Sequence, residues 1–184
     1  MTTFHLHSFV SEYQGPKLRM LFTGVGSYAT GLLGVPGASK VLDSIQVPYS
    51  HEACSLLFKR HYPQGLEVSE THGSVSKEMA VALHACNSAD LGDLIPITVT
   101  AAITTSRYRR GDNQAFIAVG KPDNLEVWHL RLDKLTEEEH QPEAVLTKRY
   151  FQDRLVSEVA ICLATSLTTP ILTDLLEGGH LVRV

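Results

Sequence analysis

Little in this chain of 184 residues points to a membrane, a nucleic acid or a metal. No apolar run reaches the roughly 20 residues that span a bilayer, and the opening stretch MTTFHLHSFVSEY has no basic region followed by a long apolar one. The expectation is a soluble, cytoplasmic protein with no membrane partner. Lysine and arginine total 16 against 20 aspartate and glutamate, a net charge of −4, so the basic excess of a nucleic-acid surface is missing. The only run of like charges is Glu137-Glu138-Glu139. Cysteines number 3, and Cys54, Cys86 and Cys162 lie far apart among helix-forming apolar residues. That pattern suits buried free thiols in a reducing compartment better than disulfides or a metal cluster. No two of the 9 histidines stand at i and i+4 with a glutamate between them, and none has ligand spacing, so neither a metal nor a cofactor is implied. Internal repeats and low-complexity linkers are absent too.

What is present begins with residues 21–50. A β-like run, Leu18-Arg19-Met20-Leu21-Phe22, meets Thr23-Gly24-Val25-Gly26-Ser27, whose glycines allow a turn that a Cβ would obstruct. A strand passing through such a turn into a helix leaves free backbone N–H groups at the positive end of the helix dipole, which is an anion-binding device. Two further turns rich in hydroxyls follow, Val35-Pro36-Gly37-Ala38-Ser39 and Val47-Pro48-Tyr49-Ser50. Three polar turns near one strand end make a pocket.

Along the chain, Thr2 or Thr3 caps a short amphipathic helix carrying Phe4, Phe9 and Val10 that ends at Gly15-Pro16. Residues 17–22 form the first strand, 28–33 a helix of about two turns and 40–47 a second strand. Ser50 opens a helix broken at His61-Tyr62-Pro63-Gln64-Gly65, and 66–69 reads as a short strand. A serine at 74 or 76 caps a helix through Met79, Leu83 and Cys86. The β-branched run IPITVTAAI, residues 95–103, predicts a central strand buried on both faces. A polar loop, 104–113, leads to strands at 114–119 and 125–132 joined by Lys121-Pro122-Asp123-Asn124. After an acidic segment, 136–143, a long amphipathic helix over 150–167 carries Phe151, Leu155, Val159, Cys162 and Leu163. The tail, 169–184, holds a short helix around 171–176 closed by Gly178-Gly179.

Strands separated by helices, then a hairpin and a closing helix, predict an α/β fold: a three-layer α/β/α sandwich around a mixed, mostly parallel sheet with at least one antiparallel strand. With both charge signs mixed, the chain reads as a single domain over 1–184.

The succession of the glycine turn, Val35-Pro36-Gly37-Ala38-Ser39, Tyr49-Ser50, His72-Gly73-Ser74-Val75-Ser76 and Thr98-Val99-Thr100 resembles the C-terminal domain of the CinA (competence-damage inducible) family, whose members include nicotinamide mononucleotide deamidases. The resemblance covers about 18–167 and leaves 168–184 as a C-terminal extension. Family stretches look like E-S-C-T-G-G, V-P-G-S-S, Y-S-N, H-G-A-V-S-x-E and S-x-T-G-I-A-G-P, and Pro36, Gly37, Ser39, Tyr49, Ser50, His72, Gly73, Val75, Ser76 and Glu78 match directly. Two departures mark a divergent branch. Without a gap, the Glu-Ser pair falls on Leu21-Phe22, so the nucleophile is missing unless a shift brings Thr23 or Ser27 to its place. The later glycine-rich loop becomes 101–112, in which hydroxyls and three arginines replace glycines; an arginine fork is matched to phosphate or carboxylate.

The resemblance thus implies a pocket for a small phosphorylated metabolite of pyridine-nucleotide type, with a homo-oligomer, a dimer or higher, as its assembly. One reading is an amidohydrolase: Thr23 or Ser27 as nucleophile, Tyr49 as acid or base, and the backbone of Gly24 and Gly26 at the oxyanion or phosphate. The other is a sensing or scaffold protein that binds without turnover. Gly24, Val25, Gly26, Ser39, Ser50, Thr104, Arg107 and Arg109 are the candidate ligand contacts. An anion is expected on the N–H groups of residues 24–27, within reach of Arg107 or Arg109. The plainer roles are helix caps for Ser39, Ser50, Ser74 and Ser76, a packed edge aromatic for Tyr49 and a solvated loop for the arginines.

Overall fold

A computed structural model describes residues 5–184. Its centre is one sheet of strands in the order β2-β1-β3-β4-β5-β6. The first strand is β1 (Leu18–Thr23), beside the edge strand β2 (Leu42–Gln46) on one side and β3 (Ile95–Ala102) on the other. Both of these pairings are parallel. Then come β4 (Asn113–Val119), β5 (Glu126–Leu132) and β6 (Leu181–Arg183), each antiparallel to its neighbour, so β1, β2, β3 and β5 share one direction. The fold is the three-layer α/β/α sandwich that the alternation of elements predicts.

The two faces of the sheet follow from side-chain alternation. Leu18, Met20 and Phe22 of β1, with Ile97 and Val99 of β3, face a layer made by α1 (Leu6–Glu12), α2 (Ser27–Thr30), α6 (Pro142–Thr165) and α7 (Pro170–Glu177). Leu21 faces the opposite layer of α3 (His51–His61), α4 (Gly65–His72) and α5 (Lys77–Asn87). Ile97 and Val99 are 0% exposed, as a central strand requires.

The α5 side of β3 is polar rather than apolar. Asn87 Nδ2 donates to the Ile97 carbonyl at 2.9 Å, and His84 lies between Thr98 Oγ1 at 3.1 Å and the Gly120 carbonyl at 2.7 Å. A carbonyl only accepts, so Nε2 carries the proton and Nδ1 accepts from Thr98. Burial pushes the His84 pKa below 6.5. The unfolded chain then binds the extra proton more readily, so this contribution to stability is full above about pH 6.5 and is lost as pH falls through the lower folded pKa. Melting temperatures recorded between about pH 7.5 and 5 are expected to fall more steeply for the native sequence than for His84→Gln; equal slopes refute this.

Several elements differ from the sequence expectation. Residues 66–69 are not a strand but part of helix α4, where Leu66 and Val68 pack on the α3–α5 cluster. Four residues are too few to separate a period of 2 from helical spacing. The long helix starts at Pro142, and its buried stripe includes Gln152 and Asp153 while Phe151 is 52% exposed. The expected 28–33 helix is the single turn α2 followed by a 3-10 turn, Gly31–Gly34. The tail adds β6 to the sheet, and the proposed caps Thr2 and Thr3, with Phe4, lie outside the described residues. No single helix among the described residues is long and apolar enough to cross a membrane.

Candidate functional site

Three of the turns singled out in the sequence converge. β1 ends at Thr23-Gly24, the β2–α3 turn brings Pro48, Tyr49 and Ser50, and the turn before α5 brings Ser74 and Val75; together with Ala101 of β3 they line a cavity of about 160 Å³. Gly24 sits at φ +79°, and a Cβ there would lie 2.0 Å from the Ala101 carbonyl oxygen, so only glycine lets the turn pass this close to β3. Ser50 accepts from the Ala53 N–H at 3.1 Å and caps α3 while lining the cavity. Ser76 caps α5 in the same way, accepting from Met79 N–H at 3.0 Å, whereas Ser74 lines the cavity. Cys54 also reaches it, and burial raises its thiol pKa, which disfavours the thiolate.

Tyr49 in turn meets a residue that sequence reasoning missed. Arg149 of α6 donates through Nη1 to the Thr104 carbonyl at 2.8 Å and through Nη2 to the Tyr49 hydroxyl at 3.1 Å. It forms no ion pair among the described residues. Beyond Tyr49, which is 69% exposed, lies an open hollow of about 690 Å³ bordered by Thr105, Ser106, Val145, Leu146 and Arg149. Tyr49 belongs to both spaces.

The other candidates are placed elsewhere. The turn at 24–27 does present N–H groups to an anion, and that anion is the chain's own Asp153. Its carboxylate accepts from Gly26 N–H at 3.3 Å, Ser27 N–H at 3.2 Å, Tyr28 N–H at 3.1 Å and the Ser27 hydroxyl at 2.8 Å. Ser27 therefore does not line the cavity, and Val25 is buried in the core. Thr23 does line it, with its hydroxyl donating to the Val99 carbonyl at 3.3 Å. Ser39 is exposed on the 3-10 turn Ala38–Lys40, outside both spaces, so the 35–39 turn expected to help make the pocket does not reach it and the turn at Ser74-Val75 stands in its place.

The arginine loop is braced from within. Thr104 N–H donates to Gln152 Oε1 at 2.8 Å and its hydroxyl accepts from Asn113 Nδ2 at 3.0 Å, while Arg109 donates to Asn113 Oδ1 at 3.0 Å and the Ile103 carbonyl at 3.3 Å. Arg107 is exposed beside a recess of only about 10 Å³, room for one water and not for a phosphate. Among the described residues no cluster of three metal-ligating side chains occurs.

The signal for Arg149, Gln152 and Asp153 was available only as polar residues at helical spacing inside an apolar stripe. Charge on one long helix does not say which loop it meets.

The open six-stranded mixed sheet between helical layers is a fold like that of the competence-damage inducible, or CinA, proteins. The chain is similar to the crystal structure of the competence/damage inducible protein CihA from Agrobacterium tumefaciens, at TM-score 0.57 and 18% identity, over 85% of this chain and 98% of that one. It is similar also to the CinA superfamily proteins from Klebsiella pneumoniae, at TM-score 0.56 and 15% identity over 86% and 99% of the two chains, and from Enterobacter cloacae, at 0.57 and 11% over 86% and 94%. No family model matches the sequence, and no curated protein matches it significantly.

Proposed function

We propose that this chain is a CinA C-terminal-like protein whose cavity binds a small phosphorylated ligand of pyridine-nucleotide type, and that it binds this ligand without deamidating it. The observation that carries the reading is the convergence of three polar turns on one cavity, whose Tyr49 also borders the outer hollow and there meets Arg149. A flat ring carrying an amide enters between Thr23, Ser50 and Ser74. The ligand's anion rests on Arg149, whose remaining N–H groups suit phosphate and whose charge no carboxylate neutralises among the described residues.

Amide hydrolysis needs an activated nucleophile beside the cavity. The Thr23 hydroxyl is turned to a backbone carbonyl, and the Ser27 hydroxyl is held by Asp153 outside the cavity. Family resemblance extends the reading to a cytoplasmic homo-oligomer.

The test is a thermal shift with nicotinamide mononucleotide alongside an ammonia-release assay. A ligand at 100 times its Kd stabilises by about 2.7 kcal/mol. Stabilisation that disappears in Arg149→Ala, with ammonia release at background, is the expected result. Steady deamidation abolished by Ser27→Ala or Thr23→Val would restore the amidohydrolase reading instead.

A further inference from the structure

The inner cavity of about 160 Å³ is below the roughly 300–1,000 Å³ of ordinary small-molecule sites, whereas the hollow outside Tyr49, at about 690 Å³, falls within it. A mononucleotide with its ring inside and its phosphate on Arg149 reaches only one side of that outer space and leaves the part beside Val145 and Leu146 unfilled. The walls of the hollow are not those of a solvated groove. Pro142, Val145 and Leu146, from the first turns of α6, form an apolar side, with Leu146 55% exposed, and Tyr49 adds its ring to the lining. The polar groups of the hollow are Arg149, which touches the shared Tyr49, the Thr105 and Ser106 side chains, and His140, whose buried Nε2 has no hydrogen-bond partner.

We infer that the hollow is a second compartment of the same site and takes an apolar or aromatic substituent carried on the ligand's anionic group. The ligand class is a phosphate ester with a hydrophobic arm, the phosphate at Arg149 and the arm over Leu146, Val145 and the face of Tyr49. This inference rests on the reading that Arg149 holds the anion. Charge and surface agree on it: an arginine with no carboxylate partner among the described residues fixes the anion, and adjoining apolar side chains already in contact with water gain by being covered. Placing the anion at the doorway also lets its ester oxygen point outward, so one ligand fills both spaces without burying its charge.

Titration calorimetry on the full chain with inorganic phosphate, phenyl phosphate and 1-naphthyl phosphate tests it. Naphthyl phosphate is expected to bind at least about tenfold more tightly than inorganic phosphate, with phenyl phosphate between them, as the apolar area covered grows. Leu146→Gln, at an exposed helical position that does not threaten the fold, is expected to remove most of that gain while leaving inorganic phosphate binding unchanged. Arg149→Ala is expected to weaken all three. Equal affinities for the three probes, or a gain that survives Leu146→Gln, overturn the second compartment and leave the anion reading standing. Saturable binding of none of them overturns both.

Discussion

Replacing Asp153 by alanine is expected to destabilise the protein by on the order of 4 kcal/mol, because hydrogen bonds to a charged group contribute about 1.5–3 kcal/mol each and several are lost together. The carboxylate is the common acceptor for three backbone N–H groups and the Ser27 hydroxyl, in a residue only 7% exposed. Truncation leaves the buried Gly26 N–H and the part-buried donors of Ser27 and Tyr28 without their carboxylate, and the alanine methyl offers nothing in exchange. For a chain of this size the loss corresponds to a fall in Tm of roughly 10 °C. Asp153→Asn keeps one acceptor oxygen and is expected to recover about half of the deficit. A change under about 1 kcal/mol in Asp153→Ala, measured by denaturant titration, would mean that water satisfies the turn and that α6 does not clamp it.

Gly24→Ala is the second substitution with a large expected effect. Its methyl meets the Ala101 carbonyl oxygen at 2.0 Å on a backbone at φ +79°, so the strained conformation and the overlap add. Left-handed strain alone costs about 1–3 kcal/mol. The neighbouring atom is backbone within a central strand and cannot swing aside, so the ends of β1 and β3 must part where Thr23 pairs with Thr100. Destabilisation above about 3 kcal/mol is expected, with loss of the mononucleotide thermal shift even at temperatures where the variant stays folded. Gly34→Ala, where a Cβ meets nothing within 4 Å, serves as the control and is expected to be close to neutral. A Gly24→Ala protein of native stability would show that the turn relaxes freely.

The layers of the fold were legible because the strands and helices that build them are long or strongly patterned. The run through Ile97, Val99 and Ala101 has no reading other than a buried strand, and Ser50 and Ser76 mark helix starts by the hydrogen bonds their hydroxyls accept. The segment Leu66–Val68 was ambiguous because two apolar residues in four carry no period. The polar face of β3 was hidden for a different reason: Thr98 and Thr100 read as β-branched strand formers, and only the packed structure sets Thr98 beside His84 and Asn87.

At the site, local chemistry carried the turns but not their partners. The glycine turn offers its N–H groups to Asp153 of the chain itself, more than a hundred positions away, and not to the ligand anion expected there. Likewise Arg107 and Arg109 stand out in a loop by composition, whereas Arg149 is inconspicuous on a mixed helix and is the arginine that touches Tyr49. Long-range placement decides which cation meets Tyr49 and borders the outer hollow, and no local pattern encodes it.

The far edge of the sheet gives the protein a built-in optical reporter. Trp128, the single tryptophan, lies in β5 opposite Arg183 of β6, its indole N–H donating to Glu126 Oε2 at 3.2 Å while Arg183 pairs with Glu126 at 3.0 Å. The candidate site lies toward the β2 end of the sheet, so tryptophan emission follows the attachment of β6 rather than events around Tyr49. A red shift that precedes the loss of far-ultraviolet dichroism therefore signals the short edge strand peeling away as its own opening unit, with the rest of the sheet still closed.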